Sequence, residues 1–146
     1  MAEPAIRLLI VDDHPVVRDG LRGMFAGEDG FEVVAEAGNG TEAVARAKAF
    51  EPDVVLMDLR MPGMDGVAAI RKMGELGLGA RVLVLTTYDN DSDALPAIEA
   101  GATGYLLKDA PRDDLLRAVR SAAAGEAVLS PSVATRLLDQ VRQPAN

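Results

Sequence analysis

Short apolar runs that each end in a polar residue constrain this chain more than any other feature. Leu8-Leu9-Ile10-Val11 runs into Asp12-Asp13, and Val54-Val55-Leu56-Met57 into Asp58. Val82-Leu83-Val84-Leu85 meets Thr86-Thr87, and Tyr105-Leu106-Leu107 meets Lys108-Asp109. A weaker run, Phe31-Glu32-Val33-Val34-Ala35, alternates less cleanly. Continuous apolar runs of this length fit parallel strands buried on both faces.

Helical patterns lie between the runs. Val17, Leu21, Met24 and Phe25 share one helical face after Pro15, and Asn39-Gly40-Thr41 supplies cap chemistry ahead of Val44, Ala47 and Phe50. A third helix is expected over 66–76, stopped by Gly77-Leu78-Gly79. A fourth is expected over 93–100, starting close to Pro96 and stopped by Gly101, because proline fits only the first turn. Leu115, Leu116, Val119 and Ala123 mark a fifth that stops at Gly125. Strand and helix alternate five times, which implies an α/β fold: a doubly wound, five-stranded parallel sheet with five flanking helices. Its functional crevice lies at the carboxyl ends of the strands, where the polar residues are. One domain is expected over 5–125. Residues 126–146 read as a linker: a loop over 126–131, then a short helix from Ser132 to about Val141.

Composition narrows the function classes. With 146 residues and a net charge of -8, the chain repels phosphate backbones, and no basic patch offsets this. The absence of cysteine excludes disulfides and thiolate metal sites, and a single histidine, His14, excludes a multi-histidine cage. No apolar run spans a bilayer and the start has no secretory pattern, so the expected setting is the cytoplasm, without a membrane partner.

Adjacent strands would bring Asp12, Asp13 and Asp58 together at one sheet edge. Clustered carboxylates raise one another's pKa unless a cation intervenes, and a hard divalent ion such as Mg²⁺ with oxygen ligands is the natural partner. Thr86 and Lys108 at neighbouring strand ends would add a hydroxyl and an ammonium, an anion cradle. In that setting Asp58 is the candidate nucleophile for an aspartyl phosphate, with Asp12 and Asp13 holding the metal. His14, just before Pro15, reads as a helix-start residue rather than a ligand.

These residues resemble a known family. LLIVDDHPVVRDGL, VVLMDLRMPGMDG, VLVLTTYD and GATGYLLKD are similar to the receiver domains of two-component response regulators, with Asp58 following Asp13 by 45 residues and preceding Thr86 by 28 and Lys108 by 50. The DDHP start and the tail GEAVLSPSVATRLL resemble the NarL/FixJ subfamily, with LuxR-type output. The resemblance implies Asp58 as phospho-acceptor. It implies Asp13 as direct Mg²⁺ ligand, Asp12 acting through water, and the Arg60 carbonyl as a further ligand. It also implies Thr86 as switch hydroxyl, Tyr105 as switch aromatic, Lys108 as phosphate-binding lysine, and Arg60 and Tyr88 as the side chains bordering the path of attacking water. Where the family often has a cis bond before proline, this chain reads Lys108-Asp109-Ala110-Pro111, so the cis bond is expected at Lys108-Asp109. The implied function is a phosphorylation-dependent switch rather than a turnover enzyme. Its implied partners are a sensor histidine kinase and a second copy, with DNA bound only through a helix-turn-helix output domain absent from this chain.

Three other function classes fit these residues less well. A phosphohydrolase of the haloacid dehalogenase type needs an acid two residues after its nucleophile, where this chain has Arg60. A flavodoxin-like carrier needs a hydroxyl- and glycine-rich loop after the first strand, where this chain has Asp12-Asp13-His14-Pro15. A receiver-like module that only binds partners would not need all five site positions intact.

Overall fold

The computed structural model describes residues 4–87, 94–129 and 131–142. Among these residues six strands alternate with six helices: β1 (Ile6–Val11), α1 (Pro15–Ala26), β2 (Phe31–Ala37), α2 (Gly40–Phe50), β3 (Val54–Met57), α3 (Gly66–Glu75), β4 (Arg81–Thr86), α4 (Ala94–Ala100), β5 (Gly104–Leu107), α5 (Arg112–Ala123), β6 (Val128–Leu129) and α6 (Pro131–Arg142). The strands form one parallel sheet in the order β2-β1-β3-β4-β5-β6.

The alternation of side chains along each strand feeds two cores. Leu9, Val11, Val55, Met57, Val82, Val84 and Tyr105 face one side and pack with Ala43 and Ala47 of α2, Ile70 and Met73 of α3, and Ala97 of α4. Leu8, Ile10, Val54, Leu56, Leu83, Leu85 and Leu106 face the other, against Phe25 of α1 and Leu115, Leu116 and Val119 of α5. Residues of β1, β3 and β4 therefore bury both faces, which explains their unbroken apolar runs. β2 is an edge strand and most of it is only half-buried, which explains its mixed pattern. Local chemistry starts the helices as the sequence predicts. Pro15 opens α1, and the Asn39 side chain accepts from the Glu42 N–H at the start of α2. Pro96 lies within the first three residues of the described α4.

Two expectations need correction. The segment expected to be a loop after Gly125 contains β6, which adds a sixth strand by pairing Gly104 with Val128 and Tyr105 with Leu129. Two residues are too short to carry a strand signature, and the pairing depends on β5 lying open beside them. The expected cis bond at Lys108-Asp109 is not found: no peptide bond among the described residues is cis. The turn closes with trans peptides, the Lys108 N–H donating to the Thr86 carbonyl at 2.7 Å and the Ala110 N–H to the Leu107 carbonyl at 3.1 Å.

Candidate functional site

The carboxyl ends of β1, β3, β4 and β5 hold Asp12, Asp58, Thr86 and Lys108 around one corner. Parallel pairing does this: Val11 is level with Met57, so Asp12 and Asp58 emerge side by side, while Met57 is level with Val84, two residues before Thr86, and Thr86 with Leu107, one residue before Lys108. The Asp58 N–H donates to the Val11 carbonyl at 3.0 Å and carries the ladder one residue past β3. Beyond Asp58 the chain folds back under the start of α3. The Gly66 N–H donates to the Leu59 carbonyl at 2.8 Å, and a Cβ on Gly66 would lie 2.6 Å from the Asp58 carbonyl oxygen. Only glycine allows this approach, which seats the acidic corner against α3.

Asp12 is 1% exposed and Asp58 6%. Lys108 reaches both: its Nζ lies 2.8 Å from Asp12 Oδ2 and 3.3 Å from Asp58 Oδ2. Burial alone pushes Asp12 up, but the hydrogen bonds from Lys108 and His14 outweigh it and hold the carboxyl below its usual range. At Asp58 the balance goes the other way. Burial and the neighbouring Asp12 charge push its pKa up, against the opposing pull of Lys108 and the Arg60 N–H. Burial would lower Lys108, but its two carboxylate partners raise it. The ammonium is thus firmly charged, and Asp58 is the less acidic of the two carboxyls.

Asp13 and Thr86 each present an unpartnered atom. Asp13 Oδ1 is buried without a hydrogen bond, although it lies 3.0 Å from His14 Nδ1; the contact is close but not aligned as a hydrogen bond. Thr86 is fully buried and its Oγ1 has no hydrogen-bond partner. Tyr105, also fully buried, lies on the neighbouring strand two register positions away, level with Val84, where Thr86 is level with Leu107. Asp12, Asp13, His14 and Asp58 each bring a ligand atom within 4.8 Å of the others. Hard carboxylate oxygens, among them the buried Asp13 oxygen without a hydrogen bond, are a donor set that could hold a divalent cation, and their chemistry fits Mg²⁺.

The structure therefore gathers Asp12, Asp13, Asp58, Thr86 and Lys108, with Tyr105 on the strand next to Thr86. Arg60 lies on the loop leaving β3, exposed, with its N–H directed to Asp58. Tyr88 lies outside the described residues. Two contributors go beyond the sequence reading: His14, read there only as a helix-start residue, and Arg18, not singled out at all. His14 is the N-cap residue of α1, as expected of a helix-start residue, yet its ring also joins the acidic corner 2.9 Å from Asp12 Oδ1. Arg18, one turn into α1, donates to the Asp12 carbonyl at 2.6 Å. Its signal was its place in the pattern after Asp12-Asp13, but a helical arginine reads as a solvated face until the fold is known.

Comparison with known proteins gives a consistent picture. The model of the response regulator receiver domain family matches residues 8–120. The nitrate/nitrite response regulator protein NarL of Escherichia coli (strain K12) is 40% identical over 140 residues, covering 96% of this chain and 64% of that protein. The transcriptional regulatory protein LiaR of Bacillus subtilis (strain 168) is 40% identical over 137 residues, covering 94% and 65%. A LuxR-family two-component response regulator from Aurantimonas sp. SI85-9A1 superposes with a TM-score of 0.87 at 36% identity, over 95% of this chain and 99% of that one. The chain spans about two thirds of the length of the curated relatives it matches. Among the described residues no helix is long and apolar enough to cross a membrane.

Proposed function

This chain belongs to the response regulator receiver domain family, and on that premise we propose that it is a phosphorylation-dependent switch in which Asp58 accepts a phosphoryl group. The observation that carries the reading is the shared ammonium: Lys108 stands between Asp12 and Asp58 beside an acid, Asp13, whose buried oxygen has no hydrogen bond. A carboxylate nucleophile, a fixed cation and a waiting cation site are the parts that phosphoryl transfer to an aspartate needs.

In this reading an Asp58 carboxylate oxygen attacks the phosphorus of a phosphohistidine on a sensor kinase. The new P–O bond forms as the P–N bond breaks, and its electron pair stays with the departing ring nitrogen. Lys108 stays charged through the reaction and neutralises a phosphoryl oxygen. Asp12, Asp13, Asp58 and the Arg60 carbonyl would hold Mg²⁺, which supplies charge neutralisation for the phosphoryl oxygens when bound. Thr86 Oγ1 has no partner to give up, so its hydroxyl is free to donate to the phosphoryl group. Its inward turn would change the space beside Tyr105 and so the surface of α4, β5 and α5. Arg60 and Tyr88 would border the approach of water and slow the loss of the phosphoryl group.

The division into a receiver over 5–125 and a linker over 126–146 belongs to the same proposal. So do the cytoplasmic setting, a phosphorylation-linked homodimer, and transcriptional output through a DNA-binding domain elsewhere in the parent protein. The name of LiaR, a transcriptional regulatory protein, supports that output. The test is covalent labelling by acetyl phosphate followed by intact mass. One phosphoryl group should add only with Mg²⁺ or Mn²⁺ present, and none should add to Asp58→Asn. Undiminished labelling of that variant would reject Asp58 as acceptor.

A further inference from the structure

Asp12 and Asp13 lie on the turn that leaves β1, and a carboxylate pair is only as well placed as the backbone that carries it. Both backbone groups of Asp12 are held. Its N–H donates to the Ala37 carbonyl at 3.1 Å, and its carbonyl accepts from Arg18 Nη1 at 2.6 Å. Arg18 is itself held. Its Nε lies 3.3 Å from Glu36 Oε1, while Arg22 Nη1 lies 2.9 Å from the other oxygen of the same carboxylate. Arg18 and Glu36 are about one fifth and one quarter exposed, so this clamp is largely shielded from water. A Cβ on Gly38 would stand 3.4 Å from Arg18 Nη1, in van der Waals contact with it.

We propose that Arg18 is a positioning residue for the cation site, tying the Asp12 carbonyl to Glu36 at the end of β2 and so fixing the Asp12-Asp13 corner. The proposal rests on the reading of that corner as the Mg²⁺ site. The chemistry calls for arginine. Its planar fork reaches a carbonyl through one nitrogen and a carboxylate through another, which the single ammonium of lysine cannot do in one geometry. Groups that orient metal ligands from outside the ligand set commonly control affinity.

Charge and positioning predict opposite signs. A cation near a dication weakens its binding, so if Arg18 acted only as a charge, its removal would tighten Mg²⁺. The Arg18 and Arg22 charges are together matched by Glu36 and Asp19, which leaves positioning as the larger effect. The experiment is a calorimetric titration of Mg²⁺ into the full chain and into Arg18→Met, Arg18→Lys and Glu36→Gln. Both Arg18 variants should bind Mg²⁺ about tenfold more weakly, the lower end of what such outer groups contribute. Glu36→Gln should fall between them and wild type, and labelling of the Arg18 variants by acetyl phosphate should need correspondingly more Mg²⁺ to reach half its maximum. Affinity unchanged or tightened in Arg18→Met overturns the proposal. Arg18→Lys and Glu36→Gln, which keep a charged or near-isosteric group, decide the matter if Arg18→Met fails to fold. If wild type binds no Mg²⁺, the reading of the acidic corner and this proposal fall together. If wild type binds and Arg18→Lys binds equally well, this proposal alone falls.

Discussion

Lys108 Nζ stands 2.8 Å from Asp12 Oδ2 and 3.3 Å from Asp58 Oδ2, so one ammonium serves two buried carboxylates. Three acids against one lysine leave the corner negative, and Lys108 and a divalent cation compete for the same oxygens. Lys108→Met should therefore bind Mg²⁺ more tightly than wild type. Phosphoryl labelling at Asp58 should nevertheless fall by roughly a hundredfold, the scale for loss of one fixed group at a developing charge. The two measurements moving in opposite directions would separate cation competition from phosphoryl stabilisation. Labelling at the wild-type rate would remove Lys108 from the reaction.

Asp58 sits where its charge is disfavoured, by burial first and by Asp12 next. Because its folded pKa is raised, its contribution to stability is present below the unfolded value of 3.8 and is lost as pH rises through the folded pKa. At neutral pH without Mg²⁺ the ionised Asp58 therefore costs stability. Asp58→Asn should unfold at higher denaturant, a gain of roughly 0.5–2 kcal/mol, the common scale for relieving a strained functional site. Adding Mg²⁺ should narrow the difference by stabilising wild type. A less stable Asp58→Asn at neutral pH, with no Mg²⁺ present, would contradict the electrostatic account.

His14 is the single histidine of the chain, so its imidazole signal is unambiguous by NMR. The Asp12 hydrogen bond, then the Asp13 and Asp12 charges, raise its pKa above 6.5. Its contribution to stability is thus full below 6.5 and is lost as pH rises through the raised folded value. A titration midpoint above 6.5 is expected without Mg²⁺, moving down when Mg²⁺ takes up the same carboxylate oxygens. A midpoint at or below 6.5 in the metal-free protein would show that the ring does not join the acidic corner in solution.

How far the sequence carried this structure depends on the range of the interactions involved. Parallel strands buried on both faces write themselves as apolar runs, so β1, β3, β4 and β5 were legible, and Asp12, Asp58, Thr86 and Lys108 are legible because they end those runs. β2 was fainter because an edge strand is half-buried. β6 was not legible at all: Val128-Leu129 is a strand only because Gly104 and Tyr105 lie beside it. The Arg18 contact with the Asp12 carbonyl was hidden for the same reason, since nothing in a helical arginine says which carbonyl the fold will place above it. The bond at Lys108-Asp109 is trans, where analogy to a proline-containing pattern had suggested cis.

Thr86 is buried with an unpartnered hydroxyl, a group that ordinarily costs about 1–3 kcal/mol when left unsatisfied. Thr86→Val removes the hydroxyl at nearly constant shape. The unphosphorylated protein should become no less stable, by chemical denaturation, and should still be labelled at Asp58. Its Tyr105 resonances should no longer shift on phosphorylation, whereas those of wild type should. Equal shifts in both proteins would show that the hydroxyl does not connect Asp58 to Tyr105.

The match to the receiver family ends at residue 120, yet the fold continues. β6 pairs with β5, and Val133 of α6 is 1% exposed in the core that holds Tyr105, with Leu137 packed against that core. Gly104 makes this possible: a Cβ there would stand 2.7 Å from the Val128 carbonyl oxygen and 2.8 Å from Leu83 Cδ1. The Val128 oxygen is backbone and cannot yield without moving the strand. Gly104→Ala should therefore push β6 off the sheet edge and loosen α6, at a cost of roughly 1–3 kcal/mol, as for other overpacked core sites. Asp58 directly follows β3, which lies two strands from β5 in the sheet order, so labelling by acetyl phosphate should persist. Amide hydrogen exchange reads the result directly. Val128 and the first turns of α6 should lose protection in Gly104→Ala while β1 and β3 keep theirs. Unchanged exchange over 128–137 would mean that the strand edge adapts to the methyl group and that Gly104 is not what admits β6.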